Sequence, residues 1–148
     1  NNIIRNNIFV SQLKAQLEAT RIEHHCSFYF TNNIIYFGEG ILTDSPAWEK
    51  ANFQADSNCY WNTHTKDILF GKQHFSAWQL STGKDKNSII ADPGFTDISQ
   101  DDFHITNPSV ISRISFKPFT YEQAGVYGEA AWRQLAARSV HQKNYHYD

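Results

Sequence analysis

Apolar and polar positions along this chain fall into short runs. Four are rich in Ile, Phe and Tyr: "NIIRNNIFV" (2–10), "CSFYFTNNIIYF" (26–37), "NFQADSNCYW" (52–61) and "DILFG" (67–71). Polar or glycine-containing stretches separate them, the pattern of β-strands between turns. Strict two-residue alternation is poor, so the period alone assigns no faces. Three runs place an asparagine before apolar residues, at Asn7, Asn33 and Asn58. These recur within the window of structural repeats. The spacing predicts short parallel strands stacked about 4.8 Å apart. Ile8, Ile34 and Cys59 would form one ladder, and the asparagines another at a turn. There Asn tolerates left-handed backbone angles and hydrogen-bonds to its copies above and below. The expected fold is all-β, a right-handed parallel β-helix solenoid.

Between these runs, "SQLKAQLEAT" (11–20) alternates Leu13, Ala15 and Leu17, which predicts a strand with Lys14, Gln16 and Glu18 outward; a helical insertion is the alternative. After Gly71 the character changes. "KQHFSAWQLSTGKD" (72–85) predicts a short helix around residues 76–79, stopped near Gly83. Two short strands follow, in 87–97 and 101–112, joined by turns containing Pro and Asp. A terminal helix is expected over 129–138, with Trp132, Leu135 and Ala136 on one face and a frayed tail beyond it. Its acidic start and basic end suit the helix dipole. The implied organisation is β-helix over 1–71, then a last turn and a helical cap over 72–148 that covers the apolar end.

With 148 residues, the chain can bury a full core. Its net charge of −2 and lack of basic runs exclude a nucleic-acid footprint. No apolar run approaches the roughly 18 residues a membrane span needs. Cys26 and Cys59 form neither a disulfide framework nor a zinc motif, so both are expected as free thiols. The chain contains no methionine and begins with Asn1, which suggests a piece of a longer polypeptide. The N-terminal portion of that parent would then be a partner.

Trp78, Gly83, Asp85, Ser88, Ala91, Asp92, Pro93, Phe95, Asp102, Phe103, Phe116 and Pro118 fall on a recognisable pattern. It resembles the C-terminal end of large parallel β-helix proteins of the pectin-lyase-like superfamily, many of them bacterial carbohydrate-active enzymes. Asn107-Pro108-Ser109-Val110 departs from the family's Ser-Pro-Ala, and Ser115 stands where glycine is usual. Upstream, Gln16, Thr20, Arg21, Glu23, His25, Ser27 and Phe28 resemble a run in its glycoside-hydrolase-like members. The resemblance implies a secreted or periplasmic protein acting on a poly- or oligosaccharide.

Several groups could carry that chemistry. Arg21, Glu23 and His25 alternate, so a strand would project all three on one face, able to bind hydroxyls and move protons. A solvated face with weak ion pairs is the alternative. Glu39 lies between Gly38 and Gly40, which permit a tight turn or close approach of a ligand. His64 follows Asn58 at the interval by which Glu39 follows Asn33, so the two should stack. Carboxyls one layer apart, about 5 Å, suit a retaining glycosidase, and two layers apart, about 10 Å, an inverting one. Glu18, Glu23, Glu39, Asp44 and Asp56 are candidates. No acidic calcium cluster appears in the strands, which favours hydrolysis over lyase chemistry; Asp97, Asp101 and Asp102 read as a turn. Among Tyr36, Trp48, Tyr60 and Trp61, Trp48 reads as the loop-borne platform for a sugar ring. The candidate site is therefore Glu23, Glu39 and His25 as catalytic groups, with Gln16, Arg21, Trp48 and His64 binding substrate. No metal or cofactor is expected. A non-catalytic carbohydrate-binding segment and a purely structural one are the other readings.

Overall fold

Residues 2–62 pass repeatedly through the same order of short strands. β1 (Asn2–Arg5), β2 (Ile8–Val10) and β3 (Ala15–Leu17) are followed by β4 (Phe28–Thr31), β5 (Ile34–Phe37) and β6 (Ile41–Thr43). After a short helix α1 (Pro46–Lys50) come β7 (Gln54–Asp56) and β8 (Cys59–Asn62). Like strands pair in parallel: β1 with β4 and β4 with β7, β2 with β5 and β5 with β8, β3 with β6. The computed structural model of the chain describes residues 2–10, 13–44, 46–121, 125 and 127–138. They belong to two units, Asn1–Pro118 and Phe119–Asp148.

The bend between the first and second strand of each layer explains the doubled asparagines. Positive φ falls on Asn6 (59°), Asn32 (56°) and Ser57 (55°), one residue before each ladder asparagine. Asn and small polar residues tolerate that left-handed angle best after glycine. The following asparagine points inward. Asn7 donates its backbone N–H and its Nδ2 to Asn33 Oδ1, at 3.0 and 3.1 Å. Asn33 donates likewise to Asn58 Oδ1, at 3.0 and 3.2 Å. The other amide hydrogen reaches the preceding layer, from Asn33 to Ile4 O and from Asn58 to Phe30 O. At Asn58 the ladder changes chemistry. Its N–H goes to Ser88 Oγ (2.8 Å) and its Nδ2 to Asp85 Oδ1 (3.3 Å), so these two side chains stand in for a fourth asparagine.

Beyond β8, β9 (Leu69–Phe70) and β10 (Gln73–His74) form an antiparallel hairpin leading into α2 (Phe75–Thr82). Gly83, at φ 69°, ends that helix, its N–H bonding Gln79 O. Trp78 on α2 is buried and donates its indole N–H to Asp85 Oδ2 at 3.0 Å. β11 (Ile89–Ile90) adds a fourth strand beside β8. The chain then reverses through the hairpin β12 (Phe95–Asp97) and β13 (Asp102–Ile105) into α3 (Pro108–Arg113).

The core has two parts. Phe30, Ile35, Phe37, Trp48, Phe53 and Tyr60 belong to the larger one. On the other face of the β2–β5–β8–β11 sheet, Ile34, Cys59 and Ile89 pack against Val110, Ile114 and Phe116. Residues 114–117 also lace along the bend. Asn32 Nδ2 donates to Ile114 O (2.6 Å), while Asn6 exchanges two bonds with the Lys117 backbone (2.8 and 2.6 Å). In each Asn-Asn doublet, one amide thus serves the ladder and the other the lacing segment.

The all-β, right-handed β-helix solenoid expected from the sequence is overturned. Strand accounts for 33% and helix for 21%, and among the described residues no solenoid or closed helix of strands is found. The strands form five short sheets, of which two are antiparallel hairpins. The physical reasons are local. α1 and α2 interrupt the strand order, and residues 92–116 turn back over a sheet face instead of extending a stack. The paired ladder Ile8–Ile34–Cys59 does occur, but it faces α3 and not the main core. Helix α4 (Ala130–Arg138) forms in the second unit, with Trp132 (59%) and Leu135 (70%) exposed. The frayed tail expected at 141–148 lies outside the described residues.

Candidate functional site

A different bend follows the second strand in the second and third layers. In the second layer it is the turn Gly38-Glu39-Gly40, and in the third the loop 63–68. Thr63 N–H bonds Phe37 O (2.9 Å), continuing the pairing of Phe37 with Asn62. That register sets Glu39 beside His64. The His64 ring lies over Gly38: a Cβ there would meet Thr63 Oγ1 at 2.8 Å and His64 Cε1 at 3.4 Å. Gly40 has φ 73°, and a Cβ there would strike Lys14 O at 2.5 Å, so a side chain fits neither angle nor space.

A cleft of about 230 Å³ opens beside this turn. Phe37, Ile41, Leu42 and Ile68 give it apolar walls, and Asn62, Thr65 and Asp67 line its polar side. Asn62 Oδ1 accepts the N–H groups of His64 and Thr65, and Thr65 Oγ1 accepts that of Asp67. The loop is thereby braced from within. Thr43 Oγ1 accepts the Gly71 N–H at 2.9 Å and ties the hairpin to β6. Asp67 Oδ1 lies 2.7 Å from His74 Nδ1. This contact orients the imidazole ring through Nδ1 and leaves Nε2 clear of it. Both side chains are well exposed.

The expected site residues do not all meet here. The strand register continues so that Glu39 and His64 hold equivalent positions in adjacent layers, with the His64 ring over Gly38. Gln16 is buried on β3 and donates to Glu39 O at 3.3 Å, so it positions the turn; it does not face outward as expected. Arg21, Glu23 and His25 are not on a strand. They belong to an irregular excursion from β3 to β4, with bends at His24 and His25. Its backbone is held by Asn52, whose Nδ2 donates to His24 O and whose carbonyl accepts from Ser27 N, and a strand ladder is not formed. Glu39 precedes β6, whereas Glu23 lies beyond β3, its parallel partner, in that irregular segment.

Trp48 is also corrected. It lies on α1 and is 5% exposed, packed against Phe28 and Phe53 at ring distances of 5.8 and 4.7 Å. The Pro46-Ala47-Trp48 start reads as loop, but a tryptophan this close to a Phe-rich sheet gains more from burial than from water. Of the other aromatics, Tyr60 is in the core with its hydroxyl on Asp85, and Tyr36 packs at a tilt against Phe95, ring centres 5.3 Å apart. Asp97 and Asp102 accept bonds from Ser99 and His104, so they brace their own turn. Among the described residues, no group of His, Cys, Asp or Glu is arranged to hold a metal ion, and no helix is long and apolar enough to cross a membrane.

Asp67 and His74 were not singled out from the sequence. Their seven-residue separation matches no motif. The available signal was Gly71 (φ 64°) within "DILFGKQH": a hairpin there pairs Leu69 with His74 and swings Asp67 alongside. No protein-family model, characterised protein or solved structure matches the chain. The resemblance drawn from Trp78 to Pro118 therefore rests on those residues alone.

Proposed function

We propose that this chain acts on glycans, seating one sugar residue in the cleft between the 38–41 turn and the 63–71 loop, with hydrolysis as its reaction. The carrying observation is that one cleft joins apolar walls to Asn62, Thr65 and Asp67, with His74 bonded to Asp67 and the exposed Glu39 next to Gly40 of its lining. A sugar ring offers C–H faces to such walls and hydroxyls to such side chains. The volume is below the roughly 300–1,000 Å³ of sites for larger ligands, which fits one ring of a chain that continues into solvent. Glu39 and Asp67 supply carboxylates, and His74 supplies an imidazole oriented by one of them, the elements of general acid–base cleavage. The resemblance to carbohydrate-active proteins supports the same reading, as would an extracellular or periplasmic setting.

The test is cleavage of a panel of oligosaccharides, read as new reducing ends, by the protein and by Glu39→Gln and Asp67→Asn. Loss of about 100-fold or more is expected for each if both act as acid or base. Unchanged cleavage in both variants would exclude the assignment. Sugar binding without catalysis is the second reading. It is favoured by the exposure of both carboxylates, since a carboxyl kept protonated as an acid is normally withdrawn from water. Affinity for a glycan with no product would establish it, and an unsaturated product would instead mark a lyase.

A further inference from the structure

We propose that Asn62 is the specificity-determining donor of the cleft and that the sugar it selects is neutral, not a uronate; this rests on the glycan reading of the same cleft. Asn62 closes β8, is only 7% exposed and lines the cleft. Its Oδ1 accepts the backbone N–H groups of His64 (2.8 Å) and Thr65 (3.1 Å). Two donors on one atom fix which end of the amide is oxygen, so the other end is an NH₂ with two hydrogens to give. Among the described residues no acceptor takes either of them. A donor withdrawn this far into a protein is normally paired, and leaving it unpaired is costly. An acceptor carried by a ligand in the cleft supplies the missing partner.

The charge around that donor sets the ligand class. Asp67 lines the same cleft, with Oδ1 on His74 and Oδ2 taking no hydrogen bond among the described residues. None of the described residues lining the cleft is Lys, Arg or His; Lys66 and Lys72 are next to lining residues, and both are exposed. The carboxylate of a uronate would meet that of Asp67 with no cation in the cleft wall to offset it. Like charges brought together in a partly dry site discriminate against such a ligand. A neutral sugar meets no such penalty. One of its oxygens accepts from Asn62 Nδ2, a hydroxyl or amide N–H donates to Asp67, and its C–H faces lie on Leu42 and Ile68. The accepting oxygen is a hydroxyl or an acetamido carbonyl, which offer the same chemistry to an amide donor.

The test is nuclear magnetic resonance on the whole 148-residue protein. It is titrated with short oligomers of glucose, galactose, mannose and N-acetylglucosamine, and with the uronate counterparts of the three hexoses. The Asn62 NH₂ signals are identified by their loss in Asn62→Asp. That variant keeps an oxygen for the His64 and Thr65 N–H groups, checked by their unchanged hydrogen exchange, and swaps the donor for a second acceptor. A neutral oligomer is expected to move the Asn62 NH₂ signals together with the backbone signals of Thr65 and Ile68. It should bind about tenfold or more tighter than its uronate counterpart, and lose about tenfold or more of its affinity in Asn62→Asp. Preference for N-acetylglucosamine identifies the carbonyl as the acceptor and preference for a plain hexose the hydroxyl; either supports the assignment. The wild-type signals and the neutral–uronate comparison stand whether or not the variant folds. Three results would each overturn the assignment while leaving the glycan reading intact: cleft signals that move while the Asn62 NH₂ does not, a uronate bound as tightly as its neutral counterpart, or a folded Asn62→Asp of unchanged affinity. If no oligomer moves the Thr65 and Ile68 signals, the glycan reading falls and this assignment with it.

Discussion

Replacing Asp85 tests whether the end of the asparagine ladder is held by a buried carboxylate. Asp85 is 1% exposed, and its Oδ1 accepts from Tyr60 OH (3.0 Å), Ser88 Oγ (2.7 Å) and Asn58 Nδ2 (3.3 Å), its Oδ2 from Trp78 Nε1 (3.0 Å). In Asp85→Ala the Ser88 hydroxyl can rotate to another acceptor. The Tyr60, Trp78 and Asn58 donors cannot, and each orphaned buried group costs about 1–3 kcal/mol. Removing a buried charge returns part of that, because desolvating a carboxylate is itself unfavourable. The net expectation is a loss of about 3–5 kcal/mol, a large share of the roughly 5–15 kcal/mol that holds a domain together. Asp85→Asn keeps Oδ1 and its three bonds but turns an NH₂ toward the Trp78 N–H. That single clash should cost about 1–2 kcal/mol. Urea unfolding followed by tryptophan fluorescence measures both. The sharper measurement is the double-mutant cycle of Asp85→Asn with Trp78→Phe, which removes the clashing donor. Coupling of about 1 kcal/mol is expected, with the double variant more stable than the summed single losses. Asp85→Ala within about 1 kcal/mol of wild type, or Asp85→Asn costlier than Asp85→Ala, would refute the reasoning.

Three further outcomes follow from the same geometry. Asn33→Ala and Asn58→Ala should each lose about 2–4 kcal/mol, and Asn7→Ala less than about 1 kcal/mol, because only the first two leave buried partners unpaired; denaturant midpoints would show this gradient, and equal losses would contradict it. Burial pushes the Cys59 thiol from 9.0 up to about 12, so its stabilising contribution is complete below pH 9 and falls as pH rises toward 12. Stability should therefore be about 1.4 kcal/mol lower at pH 10 than at pH 8 from this group, and unfolding curves of Cys59→Val should lack that part of the decline. Tyr60, raised by burial and by the Asp85 carboxylate, adds a further loss above pH 10 that Cys59→Val retains. Trp48→Ala should cost about 3–5 kcal/mol of stability, while calorimetric titration with a bound oligosaccharide under folding conditions should find its affinity unchanged.

The strand runs, the ladder and its register were legible because a buried hydrogen-bonding side chain must recur at one place per layer. Asn7, Asn33 and Asn58 carry that requirement openly. Which residue takes the left-handed angle was not legible, since Asn6 and Asn32 are asparagines too and either member of a doublet could bear it. The return of residues 92–116 was hidden for another reason. Val110, Ile114 and Phe116 read as ordinary apolar positions, and only the outward face of Ile34 and Cys59 gives them a surface to cover. That tertiary demand also turned "NPSVIS" from a strand into α3, with Asn107 capping through the Ser109 N–H and Pro108 opening the helix. The strand assigned to residues 21–25 failed because alternation alone cannot make a strand without a partner. Trp48 was misplaced because its neighbours are polar while its contacts are not.

The two bends of each layer differ in what remains free for chemistry. At the asparagine bend, the inner amides are consumed by the ladder and the outer amides of Asn6 and Asn32 by residues 114–117. A ligand arriving there would displace hydrogen bonds that hold two halves of the unit together. At the Gly38-Glu39-Gly40 bend the turn is held through backbone, by Gln16 at Glu39 O. Its one side chain, Glu39, is exposed, and the loop opposite is braced by Asn62 and Thr65 through backbone N–H groups, without using the side chains of Glu39 or His64. Polar groups whose bonding capacity is not spent on the fold are the ones available to a substrate. By that criterion, the search for activity belongs between Glu39 and His74, and the asparagines that first draw the eye are the reason those residues stay in place.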